Sequence, residues 1–502
     1  MRFASLGAET TRPENVFQFW LYFLLDFSKS FSDTLLDGSL VSPPPAAAAD
    51  TSSAVAAPYK ADVLDLFQKL LPLQIFLAAL NQAKIRENNR VYTSHVVVWL
   101  MVCQRLQAEG TLESAVLELL GGLPGSFWPQ PCKRLEEAAK EGGPRLSKQT
   151  GAYNKARHEL SLAVVEQCCD HAFEQLIGQA QLAPDRRPAF FFDGTTVRMS
   201  RSEELAAAYP PTSNQHGESH WPLLRMLVAH DLYTGLALRP QWGPVNGSKA
   251  VSEQGLLEEA IDRLPSMAAV VGDANFGVFS VAYAADRRKH PVVLRLTTAR
   301  AQSLAGGPLR DGTDRRIQWR PTREDRRSHP QLPMDAVVSG RLIVRQVQPS
   351  NGAAPFLLAL FTTLEDSPEQ VVELYGKRWN IEVDLRHLKG TLRLEELTCT
   401  SVEMVAKEID VAMLAYNLVR AVIYLTAQKA GLEPRGISFT QVRNVLQVFG
   451  PRIAAAPDER TARKLYDDML YYLSQCKLPQ RRRSSYPRGV WPRPKSYPAR
   501  HA

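Results

Sequence analysis

Three carboxylates stand out by what surrounds them. Asp193 follows four consecutive apolar residues, Ala189 to Phe192, and Asp273 follows the apolar run Ala268 to Val271 and then Gly272. A carboxylate at the C-terminal edge of a buried strand lies in the crevice where sheet proteins bind ligands. Two such aspartates on neighbouring strands repel unless one is protonated or a cation is shared between them. Magnesium meets that need, because it takes a few carboxylates and keeps waters and phosphate oxygens as its other ligands. A third carboxylate from a helix lets two ions, about 4 Å apart, activate an attacking oxygen and stabilise a leaving one. Phosphodiester chemistry suits such a centre, since positioning and charge stabilisation carry most of it. Either aspartate alone also suits a turn or a helix cap, and Gly194 after Asp193 favours that alternative.

The third carboxylate is Glu382, in the stretch YGKRWNIEVDLRHLKG. Tyr375, Arg378, Glu382 and Lys389 are separated by two, three and six residues. On a continuous helix these steps place all four side chains on one face. One alternative is a solvated salt-bridge face with Arg378 and Glu382 as an i,i+4 pair. The other is a functional face: a metal ligand, Glu382, flanked by phosphate contacts from Arg378 and Lys389 and a hydroxyl donor, Tyr375.

The spacing Y-(2)-R-(3)-E-(6)-K resembles the signature of the insertion sequence four family of bacterial transposases, and RWNIEVDLRHLKG resembles its usual context. The resemblance extends to FFFDGTTV around Asp193 and to VGDANF around Asp273, and covers roughly residues 189–420, with weaker similarity in Ser147 to Leu160. It implies a ribonuclease-H-like mixed-sheet catalytic core interrupted by a β-rich insertion. It implies Asp193, Asp273 and Glu382 as ligands of two Mg²⁺ ions, for which Mn²⁺ substitutes. Tyr375, Arg378 and Lys389 would contact DNA phosphates near the element's end. The implied activity is cut-and-paste transposition. Terminal inverted repeats are bound, strands are nicked by metal-activated water, and the freed 3′ hydroxyl attacks a second strand. The implied partners are double-stranded DNA at the element ends and at the target, with a homodimer on DNA. Some members hold a displaced base on an aromatic of the insertion, and Trp319 is the candidate here, since a flipped base needs a stacking platform; the alternative is a core tryptophan of a small β domain. Two rivals remain. FFFDGTT is also similar to the nucleophile motif of haloacid-dehalogenase phosphatases, but Phe191 occupies the nucleophile position and cannot form an aspartyl phosphate. A domesticated or inactive copy that only binds DNA would keep the same sequence around its site.

The elements that must position these residues follow from the pattern. Ala189–Met199, Leu223–Ala229 and Gly235–Pro240 read as short strands, Val251–Leu264 as a helix, Ala268–Val271 as a strand, Gly277–Arg288 as a helix and Pro291–Leu296 as a strand. Three strands, helix, strand, helix, strand is a mixed sheet with helices packed on it, an α/β class. Strand-like pieces at Arg316–Arg320, Arg341–Val347 and Pro355–Thr362 make residues 297–363 the β-rich insertion, and seven Arg and four acids crowd Arg310–Arg327. Ser367 caps one long helix running to Gly390, and further helices are expected at Val405–Gln428, Phe439–Phe449 and Arg460–Leu473. The expected domains are 1–58, an N-terminal segment with a low-complexity linker (Ser42 to Pro58); 59–185, a helical DNA-binding domain; 186–296 with 364–430, the core; and 431–502, C-terminal helices and a basic Pro-rich tail. Within the helical domain Leu64, Leu66, Phe67, Leu70 and Leu71 recur at helix spacing, and Ser147 offers a cap to the helix ending at Leu160.

Bulk composition agrees with a soluble chain that meets a polyanion. Hydrophobic residues are 45% and charged residues 22% of the 502 residues, and the net charge is +8. Eight Lys or Arg and no acid lie from Lys477 to the end, so the tail carries as much charge as the whole chain's excess. Six cysteines, none in a CxxC pair, indicate neither zinc nor a disulfide scaffold and suit a reducing compartment. The apolar run Val16–Phe27 is too short for a bilayer span and contains Asp26, and no export signal is visible. The expectation is a bacterial cytoplasmic, nucleoid-associated protein without a membrane partner.

Overall fold

The computed structural model describes residues 71–478, apart from 108, 122–126, 129, 181–186, 215–216, 349–353 and 455. The N-terminal segment with its linker and the tail beyond residue 478, both expected from sequence, lie outside the described residues. The chain divides into two compact units. One holds the described residues up to Ala172 with Leu425–Leu432 and Phe439–Cys476; the other holds Phe173–Tyr424, Glu433–Ser438 and the residues from Lys477.

The first unit is helical: α1 Leu73–Gln82, α2 Ser94–Leu106, α3 Leu112–Gly121, α4 Lys133–Ala138, α5 Gly151–Glu159 and most of α6 Leu162–Gln179. Helix α2 is apolar nearly all round (Val96, Val97, Val98, Trp99, Leu100, Met101 and Val102 are buried) and is the unit's central element. Thr93 caps it through the Val96 amide, and buried Tyr153 of α5 donates its hydroxyl to Gln104 at 2.6 Å. The expected Ser147 cap is not used: α5 begins at Gly151 after Thr150, and neither supplies a side-chain cap.

The second unit is a sheet with helices. Its strands are β1 Ala189–Met199, β4 Leu223–Asp231, β5 Gln241–Pro244, β6 Ala269–Gly272, β7 Val292–Arg295, β8 Asp314–Trp319, β9 Val338–Val347 and β10 Phe356–Thr362. A short hairpin, β2 Ser213–Asn214 and β3 Gly217–Glu218, stands apart, and β11 Glu396–Leu397 pairs in parallel with the far end of β1. Across the sheet the order is β5-β4-β1-β6-β7-β10-β9-β8. Strand β4 is antiparallel to both β5 and β1, β6 and β7 run parallel to β1, and β10, β9 and β8 are added at the other side, each antiparallel to its neighbour. Mixed pairing of this kind needs long crossovers beside the parallel strands, which α8 Glu253–Ala260 and α9 Phe279–Arg287 supply.

Burial explains the parallel centre. Phe190, Phe191 and Phe192 are fully buried, as are Val270, Val271, Val292, Val293 and Leu294. Strands covered on both faces read as continuous apolar runs. Each such phenylalanine contributes about 1.5–3 kcal/mol by leaving water.

The structure shifts several sequence expectations. Gly235–Pro240 is not a strand: Gly235 turns at φ +82°, only Ala237 bridges to His230, and the third strand is Gln241–Pro244. Asp193 is not at a strand end. It is the fifth residue of an eleven-residue strand, because β1 stays paired with β4 after its pairing with β6 stops at Phe191. The pieces expected in the insertion are strands, but they continue the main sheet through the β7–β10 pairing.

Among the described residues the remaining α-helices are α7 Glu203–Ala208, α10 Thr298–Ala305, α11 Arg323–Ser328, α12 Pro368–Gly376, α13 Trp379–Arg386, α14 Val402–Ala430, α15 Phe439–Ala454 and α16 Glu459–Gln475. Helix α14 is long and apolar enough to cross a bilayer, yet 94% of its most apolar window is buried, as in the core helix of a folded domain. The single long helix expected from Ser367 is two. Ser367 and Gln370 form a capping box at the start of α12. The chain then tightens at Gly376, where the Lys377 amide reaches back only to Leu374 and the Arg378 amide to Tyr375. After α13 it ends in a π-helical turn, His387–Thr391. Glycine is a poor helix former, and short i→i−3 turns mark such joints.

Candidate active site

The sheet register builds the centre. Phe191 on β1 lies opposite Val271 on β6, and an aspartate follows two residues later in each segment, Asp193 within β1 and Asp273 just past the end of β6, close enough for the Asp273 charge to act on Asp193. The Gly194 amide donates to Asp193 Oδ1 at 2.9 Å, and the Asn275 amide donates to Asp273 Oδ1 at 2.8 Å. The second contact closes a tight turn, in which the Phe276 and Gly277 amides also return to the Asp273 carbonyl. Gly277 is required there: a Cβ would lie 2.0 Å from the Arg295 carbonyl oxygen of β7.

The electrostatics are those of crowded carboxylates. Burial pushes the Asp193 carboxyl up to about 6, and the charges of Asp273 and Glu253 push it the same way. The Gly194 amide and the Arg378 guanidinium oppose that shift. A divalent cation between the aspartates would relieve the repulsion, and carboxylate oxygens are the donors a hard cation takes.

The helices bring part of the Tyr-Arg-Glu-Lys stripe to these aspartates. Tyr375, on α12, is buried, with its hydroxyl beside Arg295. Burial raises its pKa, while Arg378 and Arg295 beside it act in the opposite direction and the Asp273 charge adds to the rise. Arg378 stands at the joint between α12 and α13, 3.4 Å from Glu382 and 4.8 Å from the centroid of the exposed Trp379 ring. Glu382 is held in that i,i+4 pair with its carboxylate largely open to solvent. Among the described residues no three His, Cys, Asp or Glu side chains are gathered closely enough to hold an ion as they stand. The aspartates thus share one edge of the sheet, whereas Glu382 reaches the centre through its bond to Arg378. Lys389 falls in the π-helical turn, where five-residue hydrogen bonding breaks the α period that would align it with Glu382.

Trp319 requires a correction. It is 2% exposed at the end of β8, edge-on to Phe361 at 4.9 Å and to Phe279 at 6.0 Å. It is a core side chain with no face open to a base, because the insertion's strands continue the main sheet and Phe279 of α9 packs on Trp319. Sequence inspection also missed Glu253, Asn275 and Arg295, whose charges or hydrogen bonds reach the aspartates or Tyr375. Glu253 reads as an ordinary acidic first-turn residue after the Ser252 cap, and Arg295 as the polar end of a strand.

What positions α13 is a buried ion cluster. Asp384, two residues beyond Glu382, is fully buried and hydrogen bonded by Arg420 of α14 and by Arg435 at 2.6 Å. Burial would raise the Asp384 carboxyl, but Arg420 and Arg435 overcome it and hold it well below the usual range. Arg435 in turn donates to the Asp231 and Leu232 carbonyls at the end of β4, and Arg420 donates to the Tyr416 hydroxyl. The helix carrying Glu382 is thereby fixed to the sheet carrying Asp193.

The chain is similar in part to known transposases. The transposase DDE domain matches residues 184–418, from before β1 into α14. The chain is 24% identical over 309 residues to the transposase InsG of insertion sequence element IS4 from Escherichia coli (strain K12), covering 61% of this chain and 68% of that protein. A piggyBac transposase synaptic complex with hairpin DNA, solved by cryo-electron microscopy, aligns with 80% of this chain and 84% of its own at 11% identity and a TM-score of 0.38. With Asp193, Asp273 and the spacing of Tyr375, Arg378, Glu382 and Lys389 inside the matched region, residues 184–418 are similar to the DDE domain of transposases, among them that of insertion sequence element IS4.

Proposed function

We propose that this transposase binds the terminal inverted repeats of its own insertion sequence and moves it by cut-and-paste strand cleavage and strand transfer. The observation that carries the proposal is the nearness of Asp193, within β1, to Asp273, just past the end of parallel β6, with Arg378 acting on Asp193 and Tyr375 beside Asp273. The order β5-β4-β1-β6-β7, antiparallel on one side of β1 and parallel on the other, supports reading the core as ribonuclease-H-like.

In this reading Asp193, Asp273 and Glu382 hold two Mg²⁺ ions, with Mn²⁺ as a substitute. When bound, the ions activate the attacking water or 3′ hydroxyl and stabilise the leaving oxygen. Glu382 must exchange Arg378 for the centre, and that exchange frees the Arg378 guanidinium for a DNA phosphate. Tyr375 offers a buried hydroxyl donor at the same place, and Lys389 a phosphate contact on the neighbouring turn. The helical unit and the basic tail add sequence-independent attraction to DNA. Joining two ends in one complex favours a homodimer on DNA, at the nucleoid.

The test uses linear DNA carrying the element's ends, incubated with the parent protein and with Glu382→Ala, with and without Mg²⁺. Magnesium-dependent nicking at the end, lost in the variant while binding persists, supports the proposal, and joined products add strand transfer. Binding without cleavage by the parent in either Mg²⁺ or Mn²⁺ would replace it with a transposase-derived DNA-binding protein.

A further inference from the structure

Glu253 is the residue for which the family signature gives no role, yet it hydrogen-bonds the turn that follows Asp273 and lies against Gly194 beside Asp193. It is the first residue of α8, directly after the Ser252 cap, where a carboxylate is favoured by the helix dipole. Its Oε2 accepts from the Asn275 side-chain amide at 2.6 Å. Asn275 is itself the residue whose backbone amide binds Asp273 Oδ1, and Gln254 donates to the Asn275 carbonyl and side-chain oxygens at 2.9 Å. The start of α8 therefore grips the Asp273 turn through one asparagine.

The other Glu253 oxygen faces β1. A Cβ built on Gly194 would lie 2.2 Å from Glu253 Oε1, 2.3 Å from its Cδ and 2.8 Å from its Cγ. A side chain there would displace Glu253 from this position, so the glycine after Asp193 is what leaves room for this carboxylate. Gly194 invites explanation as a turn residue, but it lies inside a regular strand paired with Leu227. Glycine within a strand marks a close approach of another group. Three carboxylates on one sheet edge repel one another, and nothing within the apolar sheet gains from that arrangement.

We propose that Glu253 is a positioning residue of the metal centre. It fixes the Asp273 turn through Asn275 and, admitted by Gly194, adds its charge to those of Asp193 and Asp273, so that affinity for a divalent cation depends on it. The inference rests on reading Asp193 and Asp273 as the metal-holding pair. Glu253 acts from behind that pair, as groups that orient ligating carboxylates do, and loss of such groups costs roughly 10- to 100-fold in metal affinity.

The experiment measures Mn²⁺ binding to the full-length protein without DNA, by the electron paramagnetic resonance of free Mn²⁺, alongside melting temperature without metal. The variants are Glu253→Gln, Asn275→Ala, Asp193→Asn and Asp273→Asn. Glu253→Gln keeps the shape and an acceptor for Asn275 but loses the charge; it is expected to weaken Mn²⁺ binding about tenfold or more without lowering the melting temperature. Asn275→Ala alters an exposed side chain that leaves folding intact, and a smaller loss of affinity is expected. Parent-like affinity in both, with binding lost in Asp193→Asn and Asp273→Asn, would overturn the role of Glu253 alone. Parent-like affinity in the two aspartate variants would overturn the metal-holding pair and this inference with it.

Discussion

At the scale of single residues, the centre is a place where charge is held against its own preference. Asp193 has a pKa of about 6 because it is buried beside Asp273 and Glu253. An acid whose pKa is raised on folding binds more protons in the native state than in the unfolded chain. Metal-free stability therefore falls as pH rises through the window from the ordinary carboxylate value to about 6. Asp193→Asn is expected to stabilise the metal-free protein at pH 7.5 by on the order of 2 kcal/mol, and to change it little at pH 4. Thermal melting in a chelator at the two pH values checks this; equal melting of variant and parent at pH 7.5 would remove the argument. The aspartates and Glu382 were legible in the sequence because apolar runs end on them and because the helix spacing is specific. Glu253 was not legible, since nothing in a helix's first turn announces that it leans on a glycine 59 positions earlier. For Trp319 the sequence left two readings, a stacking platform and a core side chain, and only the β10 and α9 contacts decide for the core.

At the scale of elements, the break between α12 and α13 and the ion cluster behind α13 decide where Glu382 goes. Removing one partner of a buried ion pair leaves a charge uncompensated, which costs about 3–5 kcal/mol. Asp384→Ala, which strands Arg420 and Arg435, is expected to lower stability by about that much. It should also reduce end cleavage more than end binding, because α13 loses its tie to β4. Denaturant unfolding with a parallel gel assay tests both, and a variant with parent stability would show that the cluster does not hold the helix. Gly376, by contrast, has room for a side chain and an ordinary backbone conformation, with nothing within 4 Å of an added Cβ. Gly376→Ala is expected to stabilise the fold by about 0.5–1 kcal/mol in the same unfolding experiment; destabilisation would mean that the joint needs its glycine. The joint and the π-helical turn were not visible in the sequence, whose stripe of four residues assumes an uninterrupted period. Asp384 was hidden too, as one more charge on a charged helix until α14 folds over it.

At the scale of the whole molecule, the alternation of strand and helix from β1 to β7 was readable because buried parallel strands are runs of Phe and Val bounded by turn residues. The antiparallel strands β8 to β10 were found in place, but their joining to β7 was not, since pairing partners are set by tertiary contacts that composition does not carry. The apolar helix α14 likewise needs the fold to show that it is covered by protein. The central claim is that the carboxylates on this sheet edge hold the ions that cut DNA. Replacing one with a softer ligand tests it most directly, because thiolates accept Mn²⁺ far more readily than Mg²⁺. Asp273→Cys should fail to nick the element's end in Mg²⁺ and regain nicking in Mn²⁺, with end binding unchanged in both. Nicking by that variant in Mg²⁺ at the parent's rate would contradict the account.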